Sequence, residues 1–205
     1  MVLFERKYFK GGLQMGANFG KKFEQDFAAE AKKAKEGKIF VHRLKDTDMS
    51  YSQRITTYYT PKNICDYFLF FEGKLYALEL KTTTYKSISF DRKEDDNKMI
   101  RLHQINDLTN LLQYNNIISG FVFNFKDEEK NTEKVYFMSI QDFNNFVYNT
   151  DKSSINATDI VLNGGIPIEA TCKRKWFSYN VDKMIDDIDK YVLSKEQEIG
   201  SDFYV

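Results

Sequence analysis

The sequence predicts an α/β domain in which helices cover a mixed β-sheet. The stretch from Asp66 to Lys81 holds two aromatic-rich apolar runs around a short glycine-containing turn, which is typical of a β-hairpin. Apolar side chains recur at helical spacing in three segments, 18–36, 99–115 and 180–198. Two further apolar runs predict strands, and helices placed before, between and after strands favour a sheet sandwiched by helices.

The N-terminal part predicts an arm followed by a helix. Residues 1–15 show little pattern and contain Gly11-Gly12, whereas 16–205 form one predicted domain. Asn18 is a suitable helix cap, and Phe19, Phe23 and Phe27 continue one apolar stripe. Gly37 is expected to end this helix, and a short strand follows at 39–41.

The segment 44–64 is predicted to be a projecting loop. It is polar, has no clear period, and is long for a connection inside a compact domain, which suggests a functional loop. Arg54 and Lys62 alternate with tyrosines, a composition suited to phosphate contacts and base stacking. The alternative is a pair of strands whose tyrosines pack on the sheet, and the composition leaves both open.

The remaining elements follow the hairpin in order. Residues 82–98 are Thr-rich and then charged, and Lys93 to Lys98 are expected to be solvated. The predicted elements after them are a helix at 99–115, strands at 117–125 and 134–140, a short helix at 140–148, an irregular segment at 150–175 and an amphipathic helix at 180–198. The irregular segment ends in the basic run Lys173-Arg174-Lys175.

Composition narrows the function classes. Formal net charge is zero, but residues 1–62 carry 13 Lys and Arg against seven Asp and Glu, which is compatible with a polyanion-facing surface or with ordinary scatter. Two cysteines and two histidines form no zinc pattern, so reduced buried thiols are expected. No glycine-rich phosphate loop is present. Without a membrane-length apolar run or a signal-peptide core, we expect a cytoplasmic protein with no membrane partner.

Charged side chains in the hairpin predict a metal-binding and catalytic site. Side chains alternate along a strand, so Glu79 and Lys81 share one face, and strand pairing can bring Asp66 beside Glu79. Carboxylate oxygens are ligands that Mg²⁺ prefers, and a nearby lysine can hold the attacking water. The simpler interpretation of Glu79 and Lys81 is an ordinary ion pair on a strand.

Five local motifs resemble the PD-(D/E)xK nuclease superfamily, and within it the RecU-type Holliday junction resolvases. Gly20-Lys21-Lys22-Phe23-Glu24 resembles the start of the family's first helix. Asp66-Tyr67 and Glu79-Leu80-Lys81 resemble its catalytic core, and Ser89-Phe90 followed by His103-Gln104-Ile105 resembles its next motif. The resemblance covers about residues 16 to 125.

The resemblance implies a restriction-endonuclease-like core and a set of roles. Asp66 and Glu79 would hold Mg²⁺, with Mn²⁺ as a possible substitute, and Glu24 would complete the metal or water shell. Lys81 would position or activate the attacking water, and Gln104 would orient the site. We expect Glu79 to be partly exposed. Alternatively, Glu24 is a surface partner of Lys21, and Gln104 is a solvated or capping side chain.

The resemblance also implies a substrate and an assembly. It predicts a homodimeric endonuclease that cuts four-way DNA junctions symmetrically in recombination and repair, with DNA contacts from Lys21, Lys22, Arg54 and Lys62. Ile64-Cys65 stands where the family has two threonines, and the 44–64 loop is shorter than the family's stalk, so junction specificity is less supported than nuclease chemistry. The alternatives are another nuclease of the superfamily, or a DNA-binding module that has lost catalysis.

Overall fold

The computed structural model describes residues 12–44, 63–94, 97–174 and 176–201. Its helices are α1 (Gly12–Ala31), α2 (Leu102–Asn110), α3 (Ile140–Tyr148), α4 (Ala157–Leu162) and α5 (Val181–Ser201), with short 3₁₀ turns at Ala34–Gly37 and Leu111–Gln113. Its strands are β1 (Phe40–Arg43), β2 (Tyr67–Phe71), β3 (Lys74–Thr83), β4 (Ser87–Ser89), β5 (Ile117–Asp127), β6 (Thr132–Ser139), β7 (Ser154–Asn156), β8 (Ile166–Ile168), β9 (Ala170–Cys172) and β10 (Phe177–Tyr179).

The main sheet is mixed. Its six strands lie in the order β1-β2-β3-β5-β6-β8, and only the central β3–β5 pair is parallel. The β2–β3 hairpin turns through Glu72 and Gly73, which both have positive φ, as a two-residue type I′ turn requires. Two small antiparallel pairs, β4–β7 and β9–β10, lie beside the main sheet.

Each face of the sheet carries its own apolar core, because side chains alternate along β3 and β5. One core joins Tyr76 and Leu78 to α1 and α5, whereas the other joins Ala77 and Phe121 to α2 and α3. The buried side chains from the helices are Phe23, Phe27, Met184, Ile185 and Ile188 on the first face, and Ile105, Leu108, Phe143 and Phe146 on the second. The predicted mixed sheet flanked by helices is confirmed.

Several predicted boundaries are wrong. Helix α1 begins at Gly12, so residues 12–15 belong to it and not to the predicted arm, and β1 continues to Arg43. The predicted helix 99–115 is α helical only over Leu102–Asn110, and a 3₁₀ turn leaves Leu112 exposed. Residues 1–11 lie outside the described chain.

Two segments predicted without regular structure contain short elements. The segment 150–175 includes β7, α4, β8 and β9, and Asn156 caps α4 by accepting from the Asp159 backbone N–H at 2.9 Å. The segment 82–98 includes β4 and the buried Asp91. Strands of three residues are too short to show a periodicity in the sequence. In addition, β4, β7 and β8 pair with strands that are distant along the chain. No helix in the described ranges is both long enough and apolar enough to span a membrane.

Candidate active site

The β2–β3 hairpin sets the positions of the two predicted acidic ligands. Tyr67 pairs with Leu78 in an antiparallel register, so the preceding Asp66 faces Glu79 across the hairpin. The Asp66 backbone N–H donates to the Leu78 carbonyl at 3.1 Å, and its side chain accepts from the Leu80 N–H at 2.7 Å. Both ends of Asp66 are therefore attached to the strand that carries Glu79 and Lys81.

Glu79 is buried, with 4% of its surface exposed, which corrects the expectation of a partly exposed carboxylate. It lies on the inner part of β3 and is covered on that face by α2. Its Oε1 accepts from Lys81 Nζ at 2.8 Å and from the Gln104 side-chain amide. The charged oxygen is therefore satisfied by two donors, as a buried carboxylate requires.

Gln104 connects the buried acid to the start of α2. Its Oε1 accepts from the Arg101 backbone N–H at 3.0 Å, while its Nε2 donates to Glu79. The side chain thus combines the capping role that sequence left as the alternative with a contact to the candidate site. It fixes one orientation of the Glu79 carboxylate.

The pKa of Glu79 is raised from its ordinary value of 4.5 to about 7. Burial is the main cause, since it disfavours the charged form, and the negative charges of Asp66 and Glu24 raise the pKa further. The charge and hydrogen bond of Lys81 act in the opposite direction. Burial therefore outweighs the effect of Lys81 and keeps the pKa of Glu79 above its ordinary value.

Glu24 belongs to the same electrostatic cluster but has its own partner. Its carboxylate is paired with Arg43, which sequence analysis did not single out because the predicted strand ended at 41. The Tyr67 hydroxyl donates to the Glu24 backbone carbonyl at 3.2 Å, which attaches α1 to β2. Because side chains alternate along a strand, extending β1 beyond Val41 would have placed Arg43 on the face that lies toward Glu24.

Cys65 forms an uncharged wall beside the acids. It is buried, and its thiol donates to the Tyr67 carbonyl at 3.3 Å. Burial, followed by the charges of Glu79 and Asp66, raises the pKa of this thiol far above its usual range. The thiol therefore stays protonated at neutral pH and adds no further negative charge.

Asp91 positions α2 and was missed by sequence analysis. Its buried carboxylate accepts from the Lys98 N–H at 2.8 Å and from the Leu102 N–H at 3.2 Å, where α2 begins. Asp91 therefore helps to determine where Gln104 meets Glu79. The residue lies just before the charged run 93–98, for which the sequence predicted exposure, and no local pattern identified it.

The remaining predicted DNA contacts are only partly described. Lys21 is exposed on α1, and Lys22 pairs with Asp26 at 2.9 Å. Arg54, Lys62 and most of the predicted loop 44–64 lie outside the described residues.

The structure brings together four of the predicted catalytic residues, namely Asp66, Glu79, Lys81 and Gln104. Glu24 lies close enough to raise the pKa of Glu79.

The donor set fits a Mg²⁺ ion bound through two carboxylates. Within the described ranges, no group of three or more His, Cys, Asp or Glu side chains is placed to hold a metal. Mg²⁺ usually keeps several waters and binds through one or two carboxylates plus substrate phosphate, so Asp66 and Glu79 are sufficient in kind. The predicted set of three carboxylates remains a prediction.

Comparisons with known proteins place the chain among relatives. No protein-family model matches it. A solved structure of the Holliday junction resolvase Hjc from Archaeoglobus fulgidus covers 72% of this chain and 95% of its own, with 15% sequence identity and a TM-score of 0.44. The SPbeta prophage-derived uncharacterized protein YotM of Bacillus subtilis (strain 168) is 34% identical over 197 residues, which are 90% of this chain and 94% of that protein. The chain therefore belongs to the same family as YotM.

Proposed function

We propose that this protein is a metal-dependent DNA endonuclease of the PD-(D/E)xK type. The observation that carries the proposal is the buried Glu79, which is held by Lys81 and Gln104 beside Asp66 and Glu24, and whose pKa is raised mainly by burial and further by those two carboxylates. Gathering like charges at a desolvated site costs stability, and such costs concentrate where a protein binds a cation or performs chemistry. A structural Glu79–Lys81 pair alone would not require Asp66 and Glu24 nearby.

Each side chain then has a distinct role. Asp66 and Glu79 would hold Mg²⁺, which polarises the scissile phosphate and neutralises developing charge when it is bound. Lys81 would donate a hydrogen bond to the attacking water or to a phosphate oxygen. Gln104 keeps the Glu79 carboxylate in one orientation, and the Arg43 contact holds Glu24 beside the cluster.

For the substrate, we propose branched DNA, with the four-way junction as the preferred form. The local motifs that resemble RecU-type resolvases support this choice, together with the basic composition of residues 1–62. The proposal includes a homodimer, because two symmetric cuts need two symmetric sites. It also includes a role in recombination and repair, and a cytoplasmic location.

The main test is a cleavage assay with purified protein and Mg²⁺ on a mobile four-way junction, with duplex, flap and single-stranded DNA in parallel. We expect cleavage of the junction by the native protein and none by Glu79→Gln, which retains the shape of the side chain. Glu169→Gln, at an exposed glutamate, serves as the control and should cleave normally. Full cleavage by a folded Glu79→Gln protein would refute the proposed site.

Preference among substrates decides between the alternatives. Cleavage of duplex or single-stranded DNA in preference to the junction would indicate another nuclease of the superfamily. Tight DNA binding without cleavage under any divalent cation would indicate a non-catalytic binding module.

A second test concerns the segment 44–64. Replacing Arg54 and Lys62 together with alanine should weaken junction binding and reduce the slope of log K against log salt concentration by about 1.8, since each lost phosphate contact removes about 0.9. Binding titrations from low to moderate salt, in Ca²⁺ to prevent cleavage, measure this slope. An unchanged slope would exclude phosphate contacts by these two residues.

A further inference from the structure

The hairpin formed by β9 and β10 presents an exposed tryptophan on the outside of α1. Just beyond the paired residues Cys172 and Phe177, the Lys173 N–H donates to the Trp176 carbonyl at 2.8 Å. Trp176 is 48% exposed, although it is the only tryptophan in the sequence. The indole therefore offers an aromatic face to solvent beside α1.

The hairpin is held firmly at its base. Phe177 and Tyr179 are buried against α1, and the Tyr179 ring meets Phe23 edge-on at 5.5 Å between centroids. The Ser178 hydroxyl donates to Glu30 at 3.0 Å. Trp176 is therefore presented from a fixed support.

The surface around Trp176 is cationic where it meets solvent. A shallow cavity of about 390 Å³ separates Trp176 from the ion pairs Lys22–Asp26 (2.9 Å) and Lys33–Glu30 (2.8 Å) on α1. The two carboxylates are 18% and 15% exposed, whereas their lysine partners are 44% and 69% exposed. The carboxylates thus form the inner half of each pair.

Lys173 and Arg174 add two exposed positive charges at the hairpin tip. We call Trp176, Lys22, Lys33, Lys173 and Arg174 the Trp176 platform. An exposed aromatic side chain beside exposed cations is the combination with which proteins bind single-stranded nucleic acid, by base stacking and phosphate contacts. The buried centres of protein interfaces are instead depleted in lysine, so the charge favours a polyanion over a protein partner.

We propose that the Trp176 platform binds a nucleic-acid strand with unpaired bases, one of which stacks on Trp176. The inference rests on the proposed function for the identity of the substrate, since it adds a second contact for the same DNA. It predicts that the protein prefers DNA with accessible bases near the cut, as at a branch point.

The platform and the candidate active site lie on different sides of α1. Lys22 and Glu24 are two residues apart, which is about 200° around the helix axis. A strand that contacts both must follow the surface for about half the circumference of a helix ~10–12 Å across, which is roughly 16–19 Å.

The single tryptophan makes a direct test possible. The native protein in EDTA, which prevents cleavage, is titrated with a twelve-residue oligothymidylate while tryptophan emission is recorded. We expect saturable quenching. With a labelled oligothymidylate followed by anisotropy, Trp176→Ala should raise Kd roughly 5- to 150-fold, the range expected for loss of one stacked base, and Trp176→Phe should retain most of the affinity.

Two further variants separate stacking from charge and from general surface effects. Replacing Lys173 and Arg174 together with alanine should reduce the salt slope for the single strand by about 1.4, at about 0.7 for each contact. Tyr148→Ala is the matched control, because Tyr148 is an exposed aromatic on α3, which packs on the other face of the sheet. It should leave Kd unchanged.

The outcomes distinguish this inference from the proposed nuclease. Absence of quenching, or equal Kd values for Trp176→Ala and the native protein, would overturn the platform even if the protein cleaves junctions. Equal quenching by blunt duplex of the same length would also overturn it, since paired bases offer no face for stacking. Quenching and weakened binding in a protein without nuclease activity would support the platform and refute the nuclease.

Discussion

Glu79 is ionisable and nearly fully buried, and a pKa of about 7 makes its charge depend on pH near neutrality. Its folded-state pKa lies above its ordinary value of 4.5, so between these values the folded protein binds more protons than the unfolded chain. The contribution of Glu79 to the free energy of unfolding is therefore highest below pH 4.5, falls as pH rises to about 7, and is constant above that. The full cost is on the order of 3 kcal/mol.

A pH series on the metal-free protein tests this cost. Glu79→Gln removes this titration. The free energy of unfolding of the variant minus that of the native protein should therefore increase from pH 5 to pH 8. Added Mg²⁺ should raise the melting temperature of the native protein, because a bound cation favours the ionised acid, and should change the variant less.

Glu169→Gln provides the reference, since 61% of that side chain is exposed. Its stability relative to the native protein should show no comparable change with pH. A difference between Glu79→Gln and the native protein that is the same at pH 5 and pH 8 would show that Glu79 is not desolvated as described.

Sequence reasoning succeeded for residues whose partners are close along the chain. The proximity of Asp66, Glu79 and Lys81 followed from one hairpin and the alternation of side chains. Arg43 and Asp91 were missed because their roles arise from contacts between elements, which leave no local pattern in the sequence. The catalytic and metal-binding roles themselves remain predictions.

At the scale of elements, α2 depends on a side chain that lies outside it. Asp91 accepts from backbone N–H groups at 98 and 102, and its own N–H donates to the Ile100 carbonyl at 2.8 Å. These contacts determine where α2 begins and therefore where Gln104 lies. The sequence pattern predicted the helix but not its first turn, because its apolar stripe extends beyond the helical residues.

Asp91→Ala should destabilise the protein by about 1–3 kcal/mol, because the partly buried N–H groups of Lys98 and Leu102 lose their acceptor. For a chain of this size, that corresponds to a melting temperature lower by roughly 2–12 °C. Asp91→Asn, which keeps one acceptor oxygen, should lose less. Thermal unfolding followed by circular dichroism measures both.

Asp151→Ala is the matched control for this substitution, because Asp151 is exposed in a loop. Its melting temperature should stay within about 2 °C of the native value, as is usual for surface substitutions. A similar loss in Asp91→Ala and Asp151→Ala would mean that the contacts of Asp91 contribute nothing specific.

At the scale of the whole molecule, the sheet separates two cores, and the central part of the fold was predictable because its hairpin and long helices have strong periodicity. The short strands β7 and β8 were not, since their pairing partners β4 and β6 are distant in sequence. The predicted loop 44–64 lies mostly outside the described residues and stays a prediction.

The proposed homodimer makes a prediction at the same scale. Sedimentation of the junction-bound protein in Ca²⁺ should give two chains of 24.2 kDa for each junction. Mixed dimers of native protein and Glu79→Gln should release singly nicked junctions, because only one of their two sites is active. One chain for each junction would contradict the symmetric mechanism.

The parallel pairing of β3 with β5 also sets the order in which the molecule can assemble. The β2–β3 hairpin closes through two residues, whereas the β3–β5 pair must first close the long crossover that contains β4 and α2. Loop closure over a longer separation is slower, so parallel pairs form late during folding. Asp66 and Glu79 can therefore meet early in folding, and Gln104 reaches them only when the crossover is complete.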